Sequence, residues 1–131
     1  MWIASKLGFY SIVKKSGPDG VAYHVRGRTV EDLERLKEAA KLENTIFFWD
    51  TADYKFRMLV SKPELKLIMA ALADGVTYPN FKTEIASTAH QRPKLPAYHQ
   101  LWMNLAALFD PLSDELEEQE HDLIGGGNDD F

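Results

Sequence analysis

The chain has 131 residues, of which 45% are hydrophobic and 27% are charged, values typical of one globular domain that can bury its own core. It contains no cysteine, which excludes disulfides, zinc–thiolate sites and thiol catalysis. The formal net charge of −5 is unevenly distributed, because residues 1–109 carry 15 basic and 11 acidic side chains, whereas residues 110–131 carry nine acidic and no basic ones. Such asymmetry predicts a partner that is bound by electrostatics, with nucleic acid among the candidates.

The N-terminal segment and the apolar runs indicate the compartment. Met1–Lys15 lacks a basic region followed by an apolar one, so it is not predicted to be a secretory signal. The longest apolar runs are well below the roughly 20 residues that a membrane-spanning helix needs. We therefore expect a cytoplasmic protein that does not associate with a membrane.

Five short strands are predicted from β-prone and alternating runs. Lys6-Leu7-Gly8 between the first two runs predicts a hairpin in which Gly8 takes an unusual backbone angle. Alternation along the fifth run places Tyr54, together with Phe56 and Met58, on the face that packs on the core. The predicted strands are Trp2–Ser5, Phe9–Lys15, Val21–Arg28, Thr45–Trp49 and Tyr54–Val60.

Four helices are predicted in residues 1–109 from capping residues and apolar spacing. Thr29 begins a helix that runs to about Leu42, and Ser61, with Glu64 three residues later, begins one that ends at Gly75. Asn80 caps a short helix over Phe81–Thr88. Pro96 opens the last helix, whose predicted core residues are Tyr98, Leu101, Trp102, Leu105, Leu108 and Phe109.

The resulting order, β-β-β-α-β-β-α-α-α, predicts an α+β fold with an antiparallel-rich sheet of about five strands and helices packed on one face. Residues 1–109 are expected to form this compact domain. Residues 110–131 are expected to form an acidic tail with a short helix over residues 114–123, a flexible joint at Gly125–Gly127 and a charged tip.

Two groups of side chains are candidates for a ligand or nucleic-acid surface. In the first, basic and aromatic residues decorate the predicted sheet, where bases stack on exposed rings while cations contact phosphates; the alternative is that the aromatic residues simply face the core. In the second, Tyr, Asn and Lys surround a helix start, and the alternative is an ordinary cap beside an apolar anchor. The candidates are Arg26, Arg28, Tyr54, Lys55, Arg57, Tyr78, Asn80, Lys82 and His99.

No catalytic or metal-binding motif is present. The four histidines have no metal-ligand spacing, so neither a metal nor a cofactor is predicted. His99, with Tyr78 or Asp53, is the single acid–base candidate, and a small enzyme is the least favoured of three hypotheses.

Several short segments resemble a family of small, uncharacterised bacterial and phage proteins. The resemblance covers residues 1–109 and implies a compact α+β fold without implying an activity. The matching segments are Met1-Trp2-Ile3, Gly8-Phe9-Tyr10-Ser11, Asp53-Tyr54 with Arg57, Tyr78-Pro79-Asn80-Phe81-Lys82, and Tyr98-His99 with Trp102.

The end of the chain is similar to the acidic C-terminal tip of bacterial single-stranded DNA-binding proteins, which docks partner proteins and competes with DNA. The favoured hypothesis is a non-enzymatic, phage- or mobile-element-like protein that engages a protein partner partly through this tail. The alternative is a single-stranded nucleic-acid-binding protein whose tail regulates access. The residues expected to bind a partner are Asp114, Glu115, Glu117, Glu118, Glu120, Asp122, Asp129, Asp130 and Phe131.

Overall fold

The computed structural model describes residues 1–109, so the predicted tail helix over residues 114–123, the glycine joint and the charged tip lie outside the described residues. In the described part the α+β class and the predicted order of elements are confirmed. The strands are β1 (Trp2–Ala4), β2 (Phe9–Gly17), β3 (Gly20–Gly27), β4 (Ile46–Phe48) and β5 (Phe56–Val60). The helices are α1 (Val30–Ala40), α2 (Lys62–Asp74), α3 (Phe81–Ser87) and α4 (Leu95–Phe109), with a 3₁₀ turn at Arg92–Lys94.

The five strands form one antiparallel sheet in the order β1-β2-β3-β5-β4. The hairpins β1–β2 and β2–β3 connect neighbours along the chain, whereas α1 and β4 intervene before β5 pairs with β3. β5 therefore lies between β3 and β4, and β1 and β4 form the two edges.

Helices α1 and α2 cover one face of this sheet, as the sequence predicts. Alternate residues of β2, β3 and β5 point toward the helices, and each helix contributes an apolar stripe to the same cluster. The buried apolar residues of this core are Tyr10, Ile12, Val25, Leu33, Leu36, Ala40, Leu42, Met58, Val60, Leu65, Ile68 and Leu72.

The predicted starts of α1 and α2 are confirmed by their capping hydrogen bonds. The Thr29 hydroxyl accepts a hydrogen bond from the Asp32 backbone N–H at 3.3 Å. The Ser61 hydroxyl accepts from the Glu64 N–H at 3.3 Å, while the Ser61 N–H donates to the Glu64 carboxylate at 2.8 Å. This reciprocal pair satisfies two backbone N–H groups, those of Ser61 and Glu64, which the start of α2 would otherwise leave unpaired.

The predicted role of Gly8 is wrong in its physical reason. Gly20, at φ 103°, is the glycine with a positive φ among residues 1–109, and Gly8 does not adopt such an angle. A side chain at position 8 would instead collide with α1, because a Cβ there would lie 2.5 Å from the Asp32 Cγ and 2.8 Å from the Tyr10 hydroxyl. Glycine is therefore required at this position by close packing.

Contacts within the chain divide it into two compact units, Met1–Thr77 and the part that begins at Tyr78. The first unit contains the sheet with α1 and α2, and the second contains α3 and α4. Whether residues 1–109 behave as one domain stays a prediction. No helix within residues 1–109 combines the length and the apolar character that crossing a bilayer requires.

The prediction of a core-facing last helix is wrong for most of its apolar residues. Tyr98 is buried and packs on Phe81 with ring centroids 5.4 Å apart. The seven residues of α3 span about 10 Å, less than half of the roughly 22 Å spanned by α4, so α3 can cover only part of it. The side chains found exposed are Leu101, Leu105, Leu108 and Phe109, and Trp102 is half-buried.

Candidate functional site

The face of the sheet opposite α1 and α2, here called the outer face, carries aromatic and basic side chains. Because successive residues of a strand point to opposite faces, the residues that alternate with the core positions lie here. Three of its rings are well exposed for aromatic groups: Trp2 at 69%, Phe47 at 43% and Trp49 at 49%. Exposed rings of this size on a sheet indicate a contact surface.

The strand register places one residue from every strand in a row across the outer face. Trp2 of β1 is opposite Ser11 of β2, which is opposite Arg26 of β3. Arg26 is opposite Arg57 of β5, which is opposite Phe47 of β4. Two arginines therefore lie at the centre of the row, and an aromatic ring lies at each end.

Further rings lie against these guanidinium groups. The Arg57 guanidinium carbon is 4.1 Å from the centroid of the Trp49 ring. The guanidinium carbons of Arg26 and Arg28 are 4.9 Å and 4.5 Å from the centroid of the Tyr54 ring. These distances are typical of cation–π contacts.

The prediction that Tyr54 faces the core is therefore wrong, although Phe56 and Met58 do pack there. β5 begins only at Phe56, and Tyr54 lies in the preceding bend. The two-residue alternation of a strand does not extend into a bend, so Tyr54 is free to lie with the arginines.

Hydrogen bonds hold each central arginine at one end of its guanidinium. Arg26 Nη2 donates to the Ser11 hydroxyl at 2.6 Å, and Arg57 Nη1 lies 3.3 Å from His24 Nδ1. Because a guanidinium only donates, this contact is a hydrogen bond in the tautomer of neutral His24 whose Nδ1 carries no proton. The Nε–H groups of Arg26 and Arg57 are buried and have no hydrogen-bond partner among residues 1–109.

The positive charge of the two central arginines is not balanced by an ion pair in the described part of the chain. The carboxylates found in ion pairs within residues 1–109 are Asp32, bound to Arg35, and Asp50, which lies 3.7 Å from Lys55. Lys55, a predicted site residue, is thus partly neutralised, whereas Arg26 and Arg57 are not.

Burial and mutual repulsion shift the titration of this cluster. The pKa of Arg57 lies below its ordinary value, chiefly because the side chain is buried and also because Arg26 is close. The pKa of His24 is lowered by burial first and then by the positive charges of Arg57, Lys15 and Arg26. Both shifts reflect partial burial of these side chains and the positive charges around them.

The second predicted group lies in the second unit and is described separately. Asn80 is buried and its side-chain oxygen accepts from the Thr83 N–H at 2.8 Å, so the capping interpretation is confirmed. Tyr78 lies beside Phe81, with ring centroids 6.1 Å apart, and Lys82 is half-buried on α3. Burial, followed by the nearby charge of Glu84, raises the pKa of Tyr78.

His99, the acid–base candidate, stacks on Trp102 with ring centroids 5.8 Å apart. The acid–base role of His99 stays a prediction. Within residues 1–109, no three His, Asp or Glu side chains are grouped so that they could hold a metal ion.

The structure brings four predicted residues together and adds others that sequence reasoning missed. Arg26, Arg28, Tyr54 and Arg57 share the outer face. The missed residues are Trp2, Phe9, Ser11, His24, Phe47 and Trp49. Alternation along β2 and β3 could have placed Ser11 and His24 on the outer face. The rings on the edge strands, Trp2 and Phe47, become candidates only once the strand order is known.

No known protein family, curated protein or solved structure matches the chain. The resemblances to bacterial and phage proteins and to the acidic tip of DNA-binding proteins stay predictions. The outer face combines exposed planar rings with arginines that lack counter-charges in the described residues.

Proposed function

We propose that this protein is a non-enzymatic binding protein that takes single-stranded nucleic acid on the outer face of its sheet. The observation that carries the proposal is the cross-strand row with two arginines at its centre and exposed aromatic rings at its ends. Unpaired bases stack on exposed rings at about 1–3 kcal/mol each, and guanidinium groups contact phosphates. The bases of duplex DNA are paired and cannot stack on rings of a sheet face, so single-stranded nucleic acid is the expected ligand.

The dimensions of the row fit a short stretch of nucleic acid. Neighbouring strands are about 4.8 Å apart, so Trp2 lies about 10 Å from Arg26, two strands away, and Phe47 lies about 5 Å from Arg57, one strand away. A nucleic-acid strand that runs across the β-strands therefore contacts the Trp2 ring, then the two arginines, then the Phe47 ring. This alternation matches the alternation of bases and phosphates.

The proposal is tested by fluorescence anisotropy with labelled oligonucleotides of about 10 nucleotides, single- and double-stranded, added to the full chain. We expect binding of the single strand that weakens steeply between about 50 and 200 mM salt. Trp2→Ala and Phe47→Ala should each weaken it about fivefold or more, because each removes a stacking ring.

Phe109→Ala is the matched control, since this exposed ring lies on α4 in the second unit. Its affinity should equal that of the unchanged chain. Equal losses for Phe109→Ala and Phe47→Ala, or no binding at any salt concentration, would contradict the proposal.

A second proposal, carried by the nine acidic residues of the last 22, is that the tail engages a protein partner. The proposed contact residues lie outside the described part of the chain. A pull-down with the full chain tests it, and deletion after Phe109 should lose the partner. Retention of every partner after that deletion would argue against it.

A further inference from the structure

The two central arginines of the outer face occupy an arrangement that opposes stability. Arg26 and Arg57 lie directly opposite each other on β3 and β5, where like charges repel. Arg57 is 6% exposed, and a buried charge without a counter-charge is unfavourable. The unpartnered buried Nε–H donors of both residues add to this cost.

The Nε–H groups distinguish Arg26 and Arg57 from other arginines of the described chain. A structural arginine in this fold has its Nε–H engaged: Arg35 Nε donates to the Leu7 carbonyl at 2.7 Å, and Arg92 Nε donates to the Ala86 carbonyl at 2.8 Å. Arg26 and Arg57 differ from both. Two neighbouring cations without a counter-charge among the described residues, each with an unpartnered buried Nε–H, indicate a site for an anion.

We infer that Arg26 and Arg57 form a seat for one phosphate group, and the nucleic-acid source of that phosphate rests on the proposed function. Guanidinium forks match the oxygen atoms of phosphate, and a single phosphate can neutralise the repulsion between two neighbouring guanidiniums. Ser11 and His24 each hold one end of a guanidinium, which orients the two guanidinium groups.

The Trp49 ring regulates access to this seat. It lies over the Arg57 guanidinium at 4.1 Å while about half of its surface remains exposed. Direct contact between a phosphate and Arg57 therefore requires the ring to shift, whereas Arg26 is half-buried and less enclosed. A bound phosphate should consequently change the environment of the Trp49 indole as well as that of both arginines.

The test follows the arginine Nε–H and tryptophan indole signals by NMR in the ¹⁵N-labelled full chain. Inorganic phosphate is added at constant ionic strength, followed by a single-stranded oligonucleotide of about 10 nucleotides. We expect the signals of Arg26, Arg57 and Trp49 to shift in both titrations. Arg35 and Arg92 are internal controls that should not move, because their Nε–H groups already have acceptors.

Variants make the test quantitative. Arg26→Gln and Arg57→Gln should each weaken phosphate binding about tenfold or more, since each removes a charged hydrogen-bond donor. Arg26→Lys keeps the charge but loses the planar fork, and should weaken binding several-fold. Lys66→Gln on α2, which packs on the opposite face, is the charge-matched control and should leave affinity unchanged.

Three results separate this inference from the proposed function. Oligonucleotide binding without movement of the Arg26 and Arg57 signals would overturn the seat and leave the function standing. Phosphate-induced shifts in a chain that binds no oligonucleotide would support the seat and overturn the nucleic-acid function. Shifts with an acidic peptide but none with phosphate would assign the seat to carboxylates and overturn the inference.

Discussion

At the scale of the residue, His24 is the group on the outer face that titrates nearest to neutral pH. Arg26 on its own strand, Arg57 on β5 and Lys15 on β2 all lower its pKa, together with burial. Its Nδ1 faces the donor Nη1 of Arg57, which suits the neutral ring. Protonation of His24 would thus break a hydrogen bond and add a further cation to an already positive cluster.

The lowered pKa predicts a loss of stability on acidification. The unfolded chain takes up a proton at His24 near pH 6.5, whereas the folded chain does so only at lower pH. Between these values the unfolded state holds more protons, so the free energy of unfolding falls as pH drops below about 6.5. Melting temperatures measured between about pH 7.5 and 5.5 should fall less in His24→Gln than in the unchanged chain.

An identical pH dependence in His24→Gln would contradict this prediction. The lowered pKa of Glu64, caused first by the Ser61 backbone N–H, acts in a more acidic range, because its ordinary value is 4.5. Titration of Glu64 therefore does not contribute to the change in stability that is predicted for His24.

At the scale of the element, the turn between β1 and β2 is fastened to the start of α1 by Asp32. This buried carboxylate pairs with Arg35 and accepts a hydrogen bond from the Phe9 N–H at 3.4 Å, while its backbone carbonyl accepts from the Tyr10 hydroxyl at 2.6 Å. Arg35 Nε also donates to the Leu7 carbonyl. These contacts fix the hairpin that carries Trp2 and Phe9 to the outer face.

Substitution of Gly8 tests this close packing. Gly8→Ala places a Cβ 2.5 Å from the Asp32 Cγ, so the free energy of unfolding should fall by about 2–3 kcal/mol. Gly17→Ala is the matched control, because its Cβ would meet nothing nearer than the Gly20 carbonyl at 3.9 Å, and it should change stability by less than about 0.5 kcal/mol. Urea unfolding of both variants measures the difference, and similar losses would show that Asp32 does not constrain position 8.

At the scale of the whole molecule, charge is separated along the chain. Residues 1–109 have a net charge of +4, and residues 110–131 have a net charge of −9. We propose that this acidic segment competes with anionic ligands of the basic part, since a linked segment is present at high effective concentration. If the outer face binds nucleic acid as proposed, the net charge of −5 understates the positive charge that the ligand would meet there.

Removal of residues 110–131 should tighten binding of a single-stranded oligonucleotide. The chain then carries +4, and the gain should be larger at about 50 mM than at about 200 mM salt because ions screen the competition. Anisotropy with the full and shortened chains measures it, with circular dichroism to check that the shortened chain is folded. A full-length chain with Asp129→Asn, Asp130→Asn and Phe131→Ala separates the tip from the rest of the tail.

Weaker or unchanged binding after the deletion would contradict the competition. It would also favour the alternative in which the tail serves a protein partner alone.

Sequence reasoning identified part of the candidate site. Arg26, Arg28 and Arg57 were recognisable because positive charges that alternate with apolar core residues must point away from the core. Tyr54 was assigned to the wrong face because a bend precedes β5. Trp2 and Phe47 were not recognised, because each belongs to a three-residue edge strand whose partner and register are set by the sheet.

The sequence by itself determined the α+β class, the order of the elements, the helix caps at Thr29, Ser61 and Asn80, and the separation of charge, because these depend on local patterns and composition. Only the tertiary structure decided that β5 pairs with β3, which places Arg57 opposite Arg26 and aligns both with rings on the edge strands. Contacts between residues 31 positions apart depend on how distant strands pair, and local propensity carries no information on that pairing.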